Sequence, residues 1–156
     1  PSAIYNHYEN KETLYMAGFE ETADAIWGSV SSASKKDTLV EAFDHLITSS
    51  RKIADDFPGH SAFLASLPLE ARFHPEFEKL MERRAEFQDE TFQSLASLGT
   101  RTGEFSALSE AELKEVIRCL VMGWFFERHF RQAEIPGSGE SIVKFVRSIS
   151  SLPSMN

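Results

Sequence analysis

The sequence predicts an all-α protein, on three observations. Apolar residues recur at three- to five-residue spacing and nowhere alternate over a long stretch. Prolines and glycines gather at a few sites that read as boundaries. The run Ser109-Glu110-Ala111-Glu112 has the form of a capping box, a serine followed three residues later by a glutamate.

The elements follow in order. Asn10 suits the N-cap of a helix running to about Ser32, with Leu14, Phe19, Ala23, Ile26 and Val30 as its apolar positions. Ser31–Ser34 reads as a loop. A second helix is expected from Lys36 to Asp56, burying Leu39, Val40, Phe43, Leu46, Ile47, Ile53 and Phe57, until Pro58-Gly59 stops it. A short helical piece over Ser61–Ser66 should be interrupted by Pro68. His74-Pro75-Glu76 opens a helix that Gly99 should end near Leu98. The helix opened by Ser109 runs to about Arg131. Pro136-Gly137 breaks the chain, Ser138 caps a last helix, and Pro153 limits it.

The 156 residues amount to one domain with a sizeable core, 42% hydrophobic and 26% charged. The net charge of -8 argues against these residues gripping nucleic acid by themselves, since a DNA footprint is basic. The chain begins at Pro1 without a methionine, so a basic segment upstream is expected. A single cysteine, Cys119, excludes an internal disulfide and a cysteine-based zinc site. No apolar run approaches the ~18 residues of a membrane span, and no secretory signal is visible. A soluble protein of the reducing cytoplasm, without membrane or cofactor, is expected.

The helix from Ser109 to Arg131 carries two apolar stripes. Leu113, Val116, Ile117, Leu120 and Trp124 form one; Cys119, Met122, Phe126 and Phe130 form the other. The domain core can cover one, and a second subunit is the natural cover of the other. The last helix adds Ile142, Phe145, Val146, Ile149 and Leu152, so a homodimer joined through two helices from each subunit is expected. Cys119 itself reads as a small buried apolar residue rather than a redox sensor.

Residues Pro1–Leu14 are the most specific stretch. They read as the tail of a DNA-binding helix-turn-helix: a short helix with Tyr5 and His7, a break at Glu9-Asn10, then a longer helix with Lys11 in its first turn. The run Ile4-Tyr5-Asn6-His7-Tyr8-Glu9-Asn10-Lys11 with Leu14 resembles the tetracycline-repressor (TetR) family of transcriptional regulators. Glu70-Ala71-Arg72, His74-Pro75-Glu76-Phe77 and Arg101-Thr102-Gly103-Glu104-Phe105 are weaker echoes of that family's regulatory domain. The resemblance implies a TetR-like helical bundle: residues 1–9 as the remnant of the helix-turn-helix, and residues 10–156 as a ligand-binding and dimerisation domain. It implies a dimeric, ligand-responsive repressor that a small, largely apolar effector releases from operator DNA. Ser2, Ala3, Tyr5 and Asn6 would then face the major groove, with Tyr5, His7 and Lys11 on phosphates, once the whole DNA-binding domain is present.

For the effector, Phe57, Phe63, Phe87, Ile117, Trp124 and Phe125 are expected to line an apolar pocket. Arg84, Gln88 and Thr91 are polar residues on an otherwise apolar helix face, and Arg128 follows Trp124 by about one turn. An arginine facing such a pocket suits a carboxylate. Two other classes stay open: a helical interaction module without a ligand, and a helical enzyme built on buried carboxylates or a metal. A packed core would favour the first. The second lacks visible support, since no His-x-x-x-His or Glu-x-x-His spacing, Gly-x-Ser-x-Gly elbow or glycine-rich phosphate loop occurs.

Overall fold

A computed structural model describes residues 7–150 of the chain. The described residues are all-helical. They form α1 (Lys11–Ala33), α2 (Leu39–Asp56), α3 (Pro58–Glu70), a 3-10 turn (Pro75–Phe77), α4 (Glu78–Thr102), α5 (Glu110–Phe130) and α6 (Ser138–Ile149). Pro153 and the first six residues lie outside the described part.

Local chemistry accounts for most boundaries. Asn10 caps α1: its side chain accepts from the Thr13 N–H at 2.9 Å, and the Thr13 hydroxyl accepts in return from the Asn10 N–H at 3.3 Å. Ser109 and Glu112 make the same reciprocal pair at the start of α5. Thr38 caps α2 through the Glu41 N–H at 3.1 Å, so that helix begins at Leu39 rather than Lys36, and α1 extends through the supposed loop to Ala33. Pro58 does stop α2, but it also opens α3 at the position where its missing N–H costs nothing. Pro68, expected to interrupt the helix, falls in the last turn of α3 and is carried within it.

Gly99 corrects the expectation for α4. It is buried in the helix interior, and the helix continues to Thr102. A Cβ at residue 99 would lie 2.8 Å from Leu113 Cδ2 and 2.9 Å from Leu39 Cδ2, so this glycine serves the close approach of α2, α4 and α5. The true terminator is Gly103, whose φ of 73° is a left-handed conformation natural to glycine. Ser138 is likewise not a cap. Gly137, at φ 76°, precedes α6, and the serine hydroxyl is engaged elsewhere.

Packing produces two separate apolar clusters. The larger joins α2, α4, α5 and α6 through Leu39, Phe43, Phe92, Leu95, Ile117 and Val146. The smaller joins α1, α3 and the start of α4 through Phe19, Ala23, Leu67, Phe77 and Leu80, with Tyr15, Phe63 and Phe87 packed against it. Phe57, expected inside, is exposed and lies flat on the His60 ring.

A buried acid ties the larger cluster together. Glu104 is fully buried just past α4. Its carboxylate accepts from the Leu39 and Val40 N–H groups, and from the Thr102 hydroxyl at 2.7 Å. An acid 65 positions along the chain from Leu39 thus satisfies the first free amides of α2 and complements its positive end. Glu104→Ala should lower the unfolding free energy by about 2–4 kcal/mol in urea titration, because it strands buried donors. Gly99→Val should cost about 1–3 kcal/mol by overpacking. A loss under ~0.5 kcal/mol for Glu104→Ala would show that water replaces this cap.

Candidate functional site

The two clusters do not close on each other. Between them lies a chamber of about 160 Å³, walled by side chains from all six helices. Phe19, Ile26 and Val30 come from α1; Phe43, Ile47 and Ile53 from α2; Leu64 from α3. Phe87, Phe92 and Leu95 of α4 face Val121, Met122, Trp124 and Phe125 of α5, with Ile142 of α6. An apolar cavity of ~150 Å³ admits a molecule of the size of benzene.

Polar groups interrupt this wall at few places. Arg84, Gln88 and Thr91 follow one another on one face of α4 at helical spacing. Among the described residues Arg84 makes one long hydrogen bond, 3.4 Å to Gln88 Oε1, and no ion pair, and burial pulls its guanidinium below its ordinary pKa. Thr91 Oγ1 and His60 Nδ1 are shielded from solvent and have no hydrogen-bond partner among the described residues. Such orphaned groups cost ~1–3 kcal/mol each. Thr22 and Ser29 on α1, Ser50 on α2 and Ser61 on α3 complete the polar lining.

One edge of the chamber is held by a chain of contacts. The Trp124 indole N–H donates to Ser138 Oγ at 3.1 Å, and the Ser138 hydroxyl donates to Glu134 at 3.4 Å. Glu134 accepts from Arg51 Nε at 2.9 Å, and Arg51 also reaches Glu140 at 2.8 Å. Arg51 sits on α2 among the lining residues Ile47, Ser50 and Ile53, so this network anchors α2, α5 and α6 around one wall.

The residues expected from sequence divide. Arg84, Phe87, Gln88, Thr91, Trp124 and Phe125 stand in the chamber wall. Four others do not. Phe57 is exposed; Phe63 packs on Tyr15 with ring centres 5.6 Å apart; Ile117 is sealed in the larger cluster; the Arg128 guanidinium lies over the Trp124 ring, 5.8 Å from its centre.

The proposed dimer face also divides. Cys119 is exposed, not buried, and Phe130, Phe145 and Ile149 are exposed as well, with Phe126 half-buried and stacked on Phe130. Met122 and Ile142 turn into the chamber and Val146 into the core, because the inward arc of each helix is wider than a single stripe. Among the DNA-reading candidates, Ser2, Ala3, Tyr5 and Asn6 lie outside the described residues. His7 is exposed in a turn. Lys11 is engaged within the domain: its Nζ donates to His74 Nε2 at 2.9 Å, and His74 Nδ1 meets Glu76 at 2.9 Å.

Sequence reasoning missed Thr22, Ser29, Ser50, His60 and Ser61. Some signal was present, since Thr22 and Ser29 fall on the Phe19–Ile26 face and Ser50 on the Phe43–Ile47–Ile53 face, hydroxyls on otherwise apolar stripes. Among the described residues, no three histidine, cysteine or acidic side chains converge as metal ligands. No helix of the described residues is long and apolar enough to cross a membrane. No protein-family model, curated protein or solved structure matches the chain.

The Arg51 network makes a pH-dependent contribution with a definite sign. Hydrogen bonds from Arg51 hold Glu134 and Glu140 below the usual carboxylate range. A depressed carboxylate stabilises the fold above its unfolded pKa of ~4.3, and that stability is lost as pH falls through the folded value. The gap in melting temperature between wild type and Arg51→Met should therefore be constant above about pH 5 and shrink on acidification below about pH 4. A gap unchanged down to about pH 3 would mean that Arg51 acts only through its aliphatic packing.

Proposed function

We propose that this chain is the regulatory and dimerisation part of a TetR-like transcriptional repressor, released from operator DNA when a small effector occupies the chamber. The observation that carries the reading is the course of α1. This helix of 23 residues starts at the Lys11 turn, directly after the stretch that resembles a recognition helix, and its second half forms chamber wall. At ~1.5 Å per residue it is a rod of roughly 35 Å. A shift imposed by a ligand on Ile26 and Val30 is therefore carried to the Asn10–Lys11 turn. The Lys11–His74 contact gives a second route, since His74 lies between α3 and α4, both of which wall the chamber.

Release requires an effector that binds one arrangement of α1 better than another. It also requires paired reading heads, because two half-sites ~34 Å apart must be met together. The pairing surface proposed is the apolar face of α5 and α6, where Val116, Phe130, Phe145 and Ile149 are each at least 38% exposed. Such a face on two adjacent helices suits an isologous four-helix contact. The chamber weighs against a ligand-free interaction module, for which a filled core is expected.

Both parts are testable. Phe130→Asp with Phe145→Asp should convert dimer to monomer in light scattering without unfolding the chain, since both side chains are exposed; an unchanged mass would place the interface elsewhere. DNA selection should use the gene product with whatever lies upstream of Pro1, and is expected to recover a palindrome. Lys11→Ala, which removes the His74 contact as well as a candidate phosphate contact, should weaken binding across all sequences alike. Asn6 substitutions should change sequence preference. Failure to enrich any sequence would contradict the proposal.

A further inference from the structure

The sensor reading leaves the chemistry of the effector open, and three features of the chamber wall narrow it. The first is Arg84. Arginine keeps its proton at all working pH values. The chain has 24 acidic residues against 16 lysines and arginines, so carboxylates are plentiful. Arg51, Arg83, Arg118 and Arg131 each pair with one. Among the described residues Arg84 pairs with none, and neither do Arg72, Arg101, Arg128 and Arg147, but of these only Arg84 lines the chamber, where no aspartate or glutamate stands.

The second feature is Thr91, which is 8% exposed. A helical threonine commonly returns its hydroxyl to the carbonyl of the preceding turn. Thr22 does so to Gly18 at 2.8 Å, and Thr102 to Leu98 at 3.0 Å. Thr91 makes no such bond, and its buried hydroxyl has no partner. The third is Gln88, whose side-chain N–H groups meet only the Met122 sulfur, at 3.7 Å. Guanidinium, amide and hydroxyl donors thus stand one after another on a single face of α4.

We propose that the chamber binds a small monocarboxylate, its carboxylate at Arg84 beside Gln88 and Thr91 and its body, a single ring or a short branched chain, among the apolar residues. This inference rests on the sensor reading. One fixed positive charge without a neighbouring acid selects a monoanion over a cation, for which the wall offers no counterion. The planar guanidinium fork matches a carboxylate in two parallel hydrogen bonds. The volume of about 160 Å³ limits the apolar body to roughly one six-membered ring.

The test compares benzoate, benzamide and toluene by calorimetry and thermal shift on the 156-residue chain. Benzoate and benzamide share shape and differ in charge. Benzoate is expected to bind once per chain, raise the melting temperature, and bind at least about tenfold more tightly than benzamide, as one charge-assisted bidentate contact allows. Arg84→Leu should weaken benzoate by about tenfold and leave benzamide within about threefold; Thr91→Val should weaken benzoate less. The wild-type comparison stands even if a variant folds poorly. Equal binding of benzoate and benzamide, or benzoate binding unaffected by Arg84→Leu in a folded variant, overturns the carboxylate assignment while leaving a ligand chamber in place. Binding of toluene alone does the same. If none of the three binds, the sensor reading fails with it.

Discussion

The Glu104 carboxylate stands at the joint on which the arrangement of helices depends. It lies just past α4 and caps the first amides of α2, so two helices distant in sequence share one buried polar contact. Around it, Gly99 lets Leu39 and Leu113 approach α4 closely, which draws α2, α4 and α5 into a single frame. Buried carboxylates are costly unless their hydrogen bonds are met. Here three donors meet this one, and the frame is specific as a result. The α1–α3 side rests on a different, smaller cluster with fewer polar ties. The chamber is the seam between the two clusters.

Apolar side chains that line a space of about 160 Å³ lack partners on one side and forgo part of their packing. The orphaned hydroxyl of Thr91, the unpartnered Nδ1 of His60 and the desolvated guanidinium of Arg84 add to that cost. All of these costs fall on the same small volume. A ligand that fills the space and meets the donors would offset them together, and binding would then stabilise the fold by mass action. The same occupancy would bear on α1, whose Phe19, Ile26 and Val30 line the space.

What could be read from the sequence follows the range of the interaction. The caps at Asn10 and Ser109 were legible because each is written within four residues. Gly99 was misread as a stop because its reason lies in Leu39 and Leu113, on other helices. Ser138 was misread as a cap because its partners, Trp124 and Glu134, lie across a turn. Glu104 gave no signal as a cap at all. In the chamber, Arg84, Gln88 and Thr91 stood out as polar residues at helical spacing on an apolar face, and that logic holds wherever the helix rotation is known. Residue type and nearness in sequence point Phe57, Phe63, Ile117 and Arg128 to the pocket, and the rotation of each helix turns them elsewhere. The same spacing marks Thr22, Ser29 and Ser50, hydroxyls on the apolar faces of α1 and α2.

The central claim is that a small molecule entering the seam is felt at the start of α1. The methionine methyl groups report on it directly, since Met122 lines the chamber and Met16 packs in the smaller cluster near the beginning of α1. In carbon-13 methyl spectra of methionine-labelled protein titrated with benzoate, the Met122 signal should move in a saturable manner, and the Met16 signal should follow the same binding curve. A stationary Met122 signal would contradict occupancy of the chamber. Movement of Met122 with Met16 unchanged would show that the ligand is held but that α1 does not carry its message.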